Sequence, residues 1–362
     1  MNSKKRLGIL TSGGDCAGLN AVIRAVVLRA ETGFGWEVIG IEEGVRGLME
    51  RPPATRDFRA EDFSTGLLRE GGTILGTTSD GDPFDFPMTD GSRKDRSGEI
   101  IDGYRELGLD ALIAIGGDGS LAILRKIAQQ GGINLVAIPK TIDNDVVLTE
   151  NAVGYLTAVD VCTEALDRLQ PTAASHNRVM VLEVMGRANG HVALGAGIAG
   201  GADVILIPEI PWSMDRVADH IRRLCDDEER NFALVIVAEG VPGEDGQPVD
   251  NVSPDGKVIL GGIGHYLGQR IAEETGAETR VTVLGHTQRG AAPIPRDRFF
   301  ASAFGVHAVD LVAEGKFDRM VAWSDRCCID VPLSEVVGRN HAVDRDGASV
   351  RTARGLGICL GD

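Results

Sequence analysis

Short apolar runs alternate along this chain with amphipathic stretches of helical period, and that alternation restricts it to layered α/β folds. Leu7–Leu10, Ala111–Ile115, Leu135–Ile138, Val204–Ile207 and Leu234–Val237 do not interleave polar residues, as expected of strands buried on both faces of a parallel sheet. Between them, Leu19, Val22, Ile23, Val26 and Val27 recur at i, i+3, i+4, i+7 and i+8 and put one apolar stripe on a helix. Leu121, Leu124, Ile127 and Ala128 make a second stripe, and Met214, Val217, Ile221 and Leu224 a third, with Ser213 placed as its N-cap. At 362 residues the chain exceeds the roughly 250–300 at which one core stops growing, so two domains are expected. The fold class predicted is α/β, as two three-layer α/β/α domains with mostly parallel sheets. Arg51–Arg56 and the polar Ser79–Arg96 read as loops, and Gly240–Lys257 as a surface excursion. No stretch resembles a flexible tether, so the chain is expected to pass between the domains more than once.

Charge and cysteine usage exclude several functions. Thirty-seven Lys and Arg stand against 53 Asp and Glu, a formal charge of -16, which argues against a general nucleic-acid surface. No apolar run reaches the roughly 18 residues of a membrane span, and the start, MNSKKRLGILTSGG, lacks the features of a signal peptide. A cytoplasmic location is expected. Six cysteines are scattered without C-x-x-C spacing and read as reduced thiols that hold no metal. Against an acidic background, anionic substrates need cations gathered locally.

Four segments carry chemistry. Thr11-Ser12-Gly13-Gly14-Asp15-Cys16-Ala17-Gly18-Leu19-Asn20 leaves a strand and opens a helix, where unpaired N–H groups favour phosphate. It is neither G-x-G-x-x-G nor G-x-x-x-x-G-K-[ST], and alone it could be a plain tight turn. Gly116-Gly117-Asp118-Gly119-Ser120 follows a strand at the end where open α/β sheets bind ligands; its glycines would admit a polyphosphate and Asp118 could hold magnesium. Pro139-Lys140-Thr141-Ile142-Asp143-Asn144-Asp145 follows another strand. In extended chain Asp143 and Asp145 face the same way, so one could accept a hydroxyl proton while the other orients it or the metal; an Asx-turn cluster is the alternative. Finally, Arg178, Arg187, Arg280, His286 and Arg289 flank the runs Val179–Val184 and Val281–Leu284. Guanidinium groups converging on one pocket would read a sugar phosphate, although each alone suits a surface ion pair.

With Glu183-Val184-Met185-Gly186-Arg187 and Leu284-Gly285-His286-Thr287-Gln288-Arg289-Gly290 added, these segments closely resemble the ATP-dependent 6-phosphofructokinases, in the same order and over nearly the whole chain. The resemblance implies a larger nucleotide-binding domain, 1–153 plus about 288–340, and a smaller sugar-phosphate domain, 154–287 plus 341–362. It places Gly13, Gly14, Gly117, Asp118, Gly119, Ser120 and Lys140 on the donor side, with Asp118 toward Mg2+. Asp143 would be the base for the 1-hydroxyl of fructose 6-phosphate, supported by Asp145, Thr141 and Arg187. Met185, Gly186, Arg187 and Glu239, with Thr141 and Asp143, would contact the sugar. His286 and Arg289 would hold the 6-phosphate together with Arg178 and Arg280 from a neighbouring subunit. The implied partners are therefore ATP, fructose 6-phosphate and further copies of the chain, as a dimer or tetramer with shared sites.

Family members that use pyrophosphate tend to carry Asp at the place of Gly119, which favours ATP here. Lys140 is typical of the pyrophosphate users. In Gly76-Thr77-Thr78-Ser79-Asp80-Gly81 the family's arginine is replaced by Ser79 or Asp80, and Arg93 or Arg96 could substitute if the loop folds back. The usual proline at Ala17 and second glycine at Ala291 are missing, and Ala188-Asn189 is an unusual pair. A pyrophosphate-dependent enzyme, another acceptor such as sedoheptulose 7-phosphate, and a catalytically weakened regulatory paralogue are the alternatives.

Overall fold

The computed structural model describes residues 4–78, 81–226, 230–252 and 258–362. The chain divides into two compact units. The first is Met1–Thr141, Asp145–Leu156 and Arg289–Asn340; the second is Ile142–Asn144, Thr157–Gln288 and His341–Asp362.

In the first unit the uninterrupted apolar runs become the middle of one sheet, in the order Cys327–Pro332, Arg319–Ser324, Leu135–Thr141, Ala111–Gly116, Arg6–Thr11, Glu37–Ile41, Thr55–Phe58. The interior pairs are parallel and the two outermost pairs antiparallel. All six residues of Ala111–Gly116 and all seven of Leu135–Thr141 are buried, which is why those runs carry no polar alternation. The first helical stripe packs inside Leu19–Phe34 and the second inside Asp118–Gly131. Leu19–Phe34 lies along Pro295–Glu314, at a distance set by Gly305: a Cβ there would come 2.7 Å from the Ala25 Cβ and 2.8 Å from the Val22 carbonyl oxygen. The order also explains where a ligand can enter. Arg6–Thr11 leads through its helix to one side of the sheet and Ala111–Gly116 to the other, so a topological switch point lies at their adjoining carboxyl ends.

The second unit holds a four-stranded parallel sheet, Val204–Leu206, Ala233–Ala238, Val179–Val184, Thr279–Val283. Met214–Cys225 starts as predicted, with the Ser213 hydroxyl accepting from the Arg216 N–H at 3.4 Å. Glu183, only 3% exposed, turns inward at the end of its strand and accepts from the N–H groups of Gly262 and Gly264 at the start of Ile263–Thr275. A negative charge suits that helix end. The last segment returns to the sheet, where Cys359 bridges Val204.

The segments read as loops or surface excursions hold short strands that their composition did not show. Thr55–Phe58 is an antiparallel edge strand, so the Arg51–Arg56 loop is shorter than expected. Within Ser79–Arg96, Phe86–Pro87 pairs with Arg93–Lys94, while Ser79 and Asp80 lie outside the described residues. In Gly240–Lys257, Asp250–Val252 pairs with Val258–Leu260 and 253–257 lie outside the described residues. Among the described residues no helix is long and apolar enough to cross a membrane.

Candidate active site

In the first unit the two glycine-rich turns meet at the switch point. Gly13 takes a φ of 80°, its N–H donating to the Thr78 carbonyl at 3.0 Å and its own carbonyl accepting from the Thr77 hydroxyl at 2.6 Å. A Cβ on Gly13 would sit 2.9 Å from Ser120 Oγ and 3.4 Å from Lys140 Nζ, so glycine is what lets the turns close on each other. Lys140, 4% exposed, donates from Nζ to the Gly14 carbonyl at 2.5 Å, and Arg289 donates from Nη1 to the Asp15 carbonyl at 2.8 Å. Both cations are thereby held at the first turn. Gly18 and Gly117 precede Leu19–Phe34 and Asp118–Gly131, and neither helix has a side-chain cap. Their first-turn N–H groups remain available to a phosphate. A Cβ at Gly119 would meet nothing within 4 Å, so the turn is open on that side.

Asp118 begins its helix, with Oδ1 accepting from the Gly338 N–H at 3.3 Å. Burial raises its carboxyl above the usual carboxylate range; the Gly338 N–H opposes this and the charge of Asp145 adds to it. Oδ1 of Asp145 is buried and has no hydrogen-bond partner among the described residues. A carboxylate whose ionisation a neighbouring charge disfavours, beside one with a stranded oxygen, is suited to receiving a cation. Among the described residues no three His, Cys, Asp or Glu side chains group to hold a metal. A pair of carboxylates such as Asp118 and Asp145 is a donor set that magnesium can take, with phosphate oxygens and water completing its shell.

In the second unit Val179–Val184 ends in a tight turn. Gly186 has a φ of 153° and Arg187 one of 51°, and a Cβ on Gly186 would fall 2.4 Å from the Asn189 carbonyl oxygen. The Gly186 and Arg187 N–H groups donate to Glu239 Oε1 at 3.3 and 3.1 Å. Burial raises the Glu239 carboxyl, and those two N–H groups oppose it. The Arg187 side chain is 67% exposed and its Nε lies 3.9 Å from Oδ2 of Asp143, whose side chain is 6% exposed. The extended chain assumed for Asp143 and Asp145 is not what the structure has. The strand stops at Thr141, and Asn144 adopts a φ of 53°; Asp143 belongs to the second unit and Asp145 to the first.

Within the second unit Arg178 and Arg280 do not gather beside His286. Arg178 and Arg280 both pair with Glu278, and Arg280 is in register with Met180. They occupy the amino end of the sheet, whereas Met185, Gly186, Arg187, Glu239 and His286 follow the carboxyl ends of their strands. A strand of six residues separates the two ends by about 20 Å. Arg289 belongs to the first unit. Arg93 pairs with Asp85 at 2.7 Å and Arg96 with Glu99 at 2.6 Å, so neither stands in as a free cation.

One organising residue was given no role by sequence. Gln288, 1% exposed, accepts at Oε1 from the Met185 N–H and the Cys162 thiol, each at 3.2 Å, and donates from Nε2 to the Gly285 carbonyl. Its place in the LGHTQRG run was the available signal, but the partners are distant in sequence.

The phosphofructokinase family model matches residues 6–312. A Synechocystis protein named ATP-dependent 6-phosphofructokinase 1 is 61% identical over 362 residues, covering all of both chains. An ATP-dependent 6-phosphofructokinase of Chloroflexus aurantiacus is 45% identical, covering all of this chain and 99% of its own. Among solved structures, Pichia pastoris phosphofructokinase in the T-state aligns at a TM-score of 0.79 and 32% identity over 93% of this chain, which spans 36% of that longer one. A pyrophosphate-dependent phosphofructokinase from Marinobacter aquaeolei shares the fold, at a TM-score of 0.80 and 21% identity over 99% of this chain and 92% of its own. With glycine turns joined at a switch point and relatives matched from end to end, the chain belongs to the phosphofructokinase family.

Proposed function

We propose that the chain is an ATP-dependent 6-phosphofructokinase, moving the γ-phosphoryl group of ATP to the 1-hydroxyl of fructose 6-phosphate. The observation that carries this reading is the buried Asp143 carboxylate with Arg187 Nε at 3.9 Å, supported by relatives of that name along the full length. Asp143 accepts the hydroxyl proton as the oxygen attacks, with the Arg187 guanidinium beside it. Glu239, by fixing the Gly186 and Arg187 N–H groups, shapes the turn that receives the sugar beside Met185.

The first unit is the nucleotide side. Gly13, Gly14, Gly117, Gly119 and Ser120 line the turns that take the phosphates, and Lys140 adds positive charge there. The open space at Gly119 accommodates a nucleotide, where an acidic side chain would crowd and repel its phosphates. Asp118, with Asp145, would hold Mg2+, which when bound neutralises charge on the transferring phosphoryl group. The second unit is the sugar-phosphate side, with His286 exposed near its strand end. Arg178 and Arg280, held at the other end of the sheet, serve the site of a neighbouring subunit, so the working form is a homo-oligomer. The chain works in the cytoplasm, in keeping with free thiols at Cys16, Cys162, Cys327, Cys328 and Cys359.

Purified protein assayed with ATP or pyrophosphate against fructose 6-phosphate tests the reading. ADP formation that needs both the sugar phosphate and magnesium is expected, and Asp143→Asn should lower kcat by about 10²–10⁴-fold with little change in KM. Faster turnover with pyrophosphate than with ATP would overturn the donor assignment.

A further inference from the structure

Asn144 sits between Asp143 and Asp145 in a left-handed conformation, with φ 53°. Such a backbone is costly outside glycine, though least so for Asn and Asp, and persists only where neighbouring contacts hold it. One contact comes from far along the chain: Nδ1 of His341 lies 3.2 Å from the Asn144 carbonyl oxygen. A carbonyl can only accept, so Nδ1 carries the proton and the tautomer is set.

His341 is itself held. Its carbonyl oxygen accepts from His191 Nε2 at 2.8 Å, and the two rings stand 4.9 Å apart, tilted by 39°. Two residues on, the Val343 N–H donates to Glu209 Oε1 at 2.9 Å, and the same oxygen accepts from the Gly190 N–H at 3.0 Å. The start of the last segment is thus tied to the turn that follows Arg187, and through His341 to the peptide next to Asp143. All of these residues belong to the second unit.

We propose that His341 is a positioning residue for phosphoryl transfer: its Nδ1–H fixes the Asn144 peptide and so aims the Asp143 carboxylate at the acceptor hydroxyl. The inference rests on the reading of Asp143 as the base. Without the hydrogen bond Asn144 can relax out of the left-handed region, which rotates the preceding carboxylate. Misplacement on the ångström scale is enough to slow a reaction substantially.

The experiment compares His341→Leu, which keeps bulk and loses the donor, with His341→Asn, whose Nδ2 takes the place of Nδ1. Steady-state kinetics for both substrates and melting curves are recorded on each full-length protein. His341→Leu should lower kcat roughly 10- to 100-fold, with KM for ATP and fructose 6-phosphate within about twofold. His341→Asn should recover most of that loss. Wild-type kcat in His341→Leu, or equal loss in both variants, overturns the proposal. Asp143→Asn in parallel separates the two readings: a fully active variant overturns the base assignment and this inference with it, whereas an inactive one beside a normal His341→Leu overturns this inference alone. If His341→Leu does not fold, His191→Leu, which removes the donor to the His341 carbonyl, should lower kcat about two- to fivefold, and an unchanged kcat there overturns the proposal.

Discussion

Gln288 offers a sharp test of how the sugar side is organised. Replacing it with leucine keeps the volume but removes the acceptor for the Met185 N–H, 3.2 Å away, and the donor to the Gly285 carbonyl, 2.9 Å away. At 1% exposure water does not readily replace either partner. Each stranded backbone group costs about 1–3 kcal/mol, and the lost thiol contact little beside that. The turn after Val179–Val184 can escape the penalty at Met185 by moving away, and the energy needed to bring it back on binding then appears in the sugar phosphate KM. One to three kcal/mol corresponds to roughly a 5- to 150-fold rise, with the KM for ATP unchanged. The assay is initial rate against fructose 6-phosphate at saturating ATP, alongside thermal melting. If melting falls while the fructose 6-phosphate KM stays at the wild-type value, Gln288 only fills the core and its supposed control of the turn is wrong.

Other expectations are as direct. Asp118→Asn should weaken apparent magnesium affinity by about tenfold or more; because burial raises the Asp118 carboxyl, its ionised form costs stability, so the variant should melt above wild type at neutral pH and lose that advantage as pH falls through the folded pKa. Equal melting at pH 8 would contradict this. Gln288→Glu reverses the comparison: the buried acid, with a folded pKa raised above about 4.3, is tolerated while protonated, and its melting deficit against wild type should grow as pH rises through that value. Arg280→Ala should raise the fructose 6-phosphate KM, and mixing it with Asp143→Asn should restore part of the activity through hybrid oligomers; no recovery after subunit exchange would argue that each chain supplies its own clamp.

Much of the fold was legible because periodicity reports burial directly. The runs around Ile9, Ile113 and Val136 are apolar throughout since both faces of the sheet are covered. Thr55–Phe58 escaped notice because an edge strand with Arg56 and Asp57 exposed has too little pattern to separate it from a loop. The site was legible as motifs and less so as geometry. Gly13 and Ser120 could be placed on strand-to-helix turns, but their contact depends on strand order. The left-handed backbone of Asn144 between the two aspartates leaves no mark in composition. His341 carried no motif at all, since its partner, the Asn144 carbonyl, is a backbone atom that any residue could present.

The threading of the chain between the units bears on how the protein emerges from the ribosome. The first unit lacks Arg319–Ser324 and Cys327–Pro332 until residue 332 has been made, and the second lacks its bridge to Val204 until Cys359 follows. Neither half can finish its core early in synthesis, so the nascent polypeptide carries unpaired sheet edges for most of translation. Both units therefore complete their sheets only near the end of synthesis, rather than one after the other.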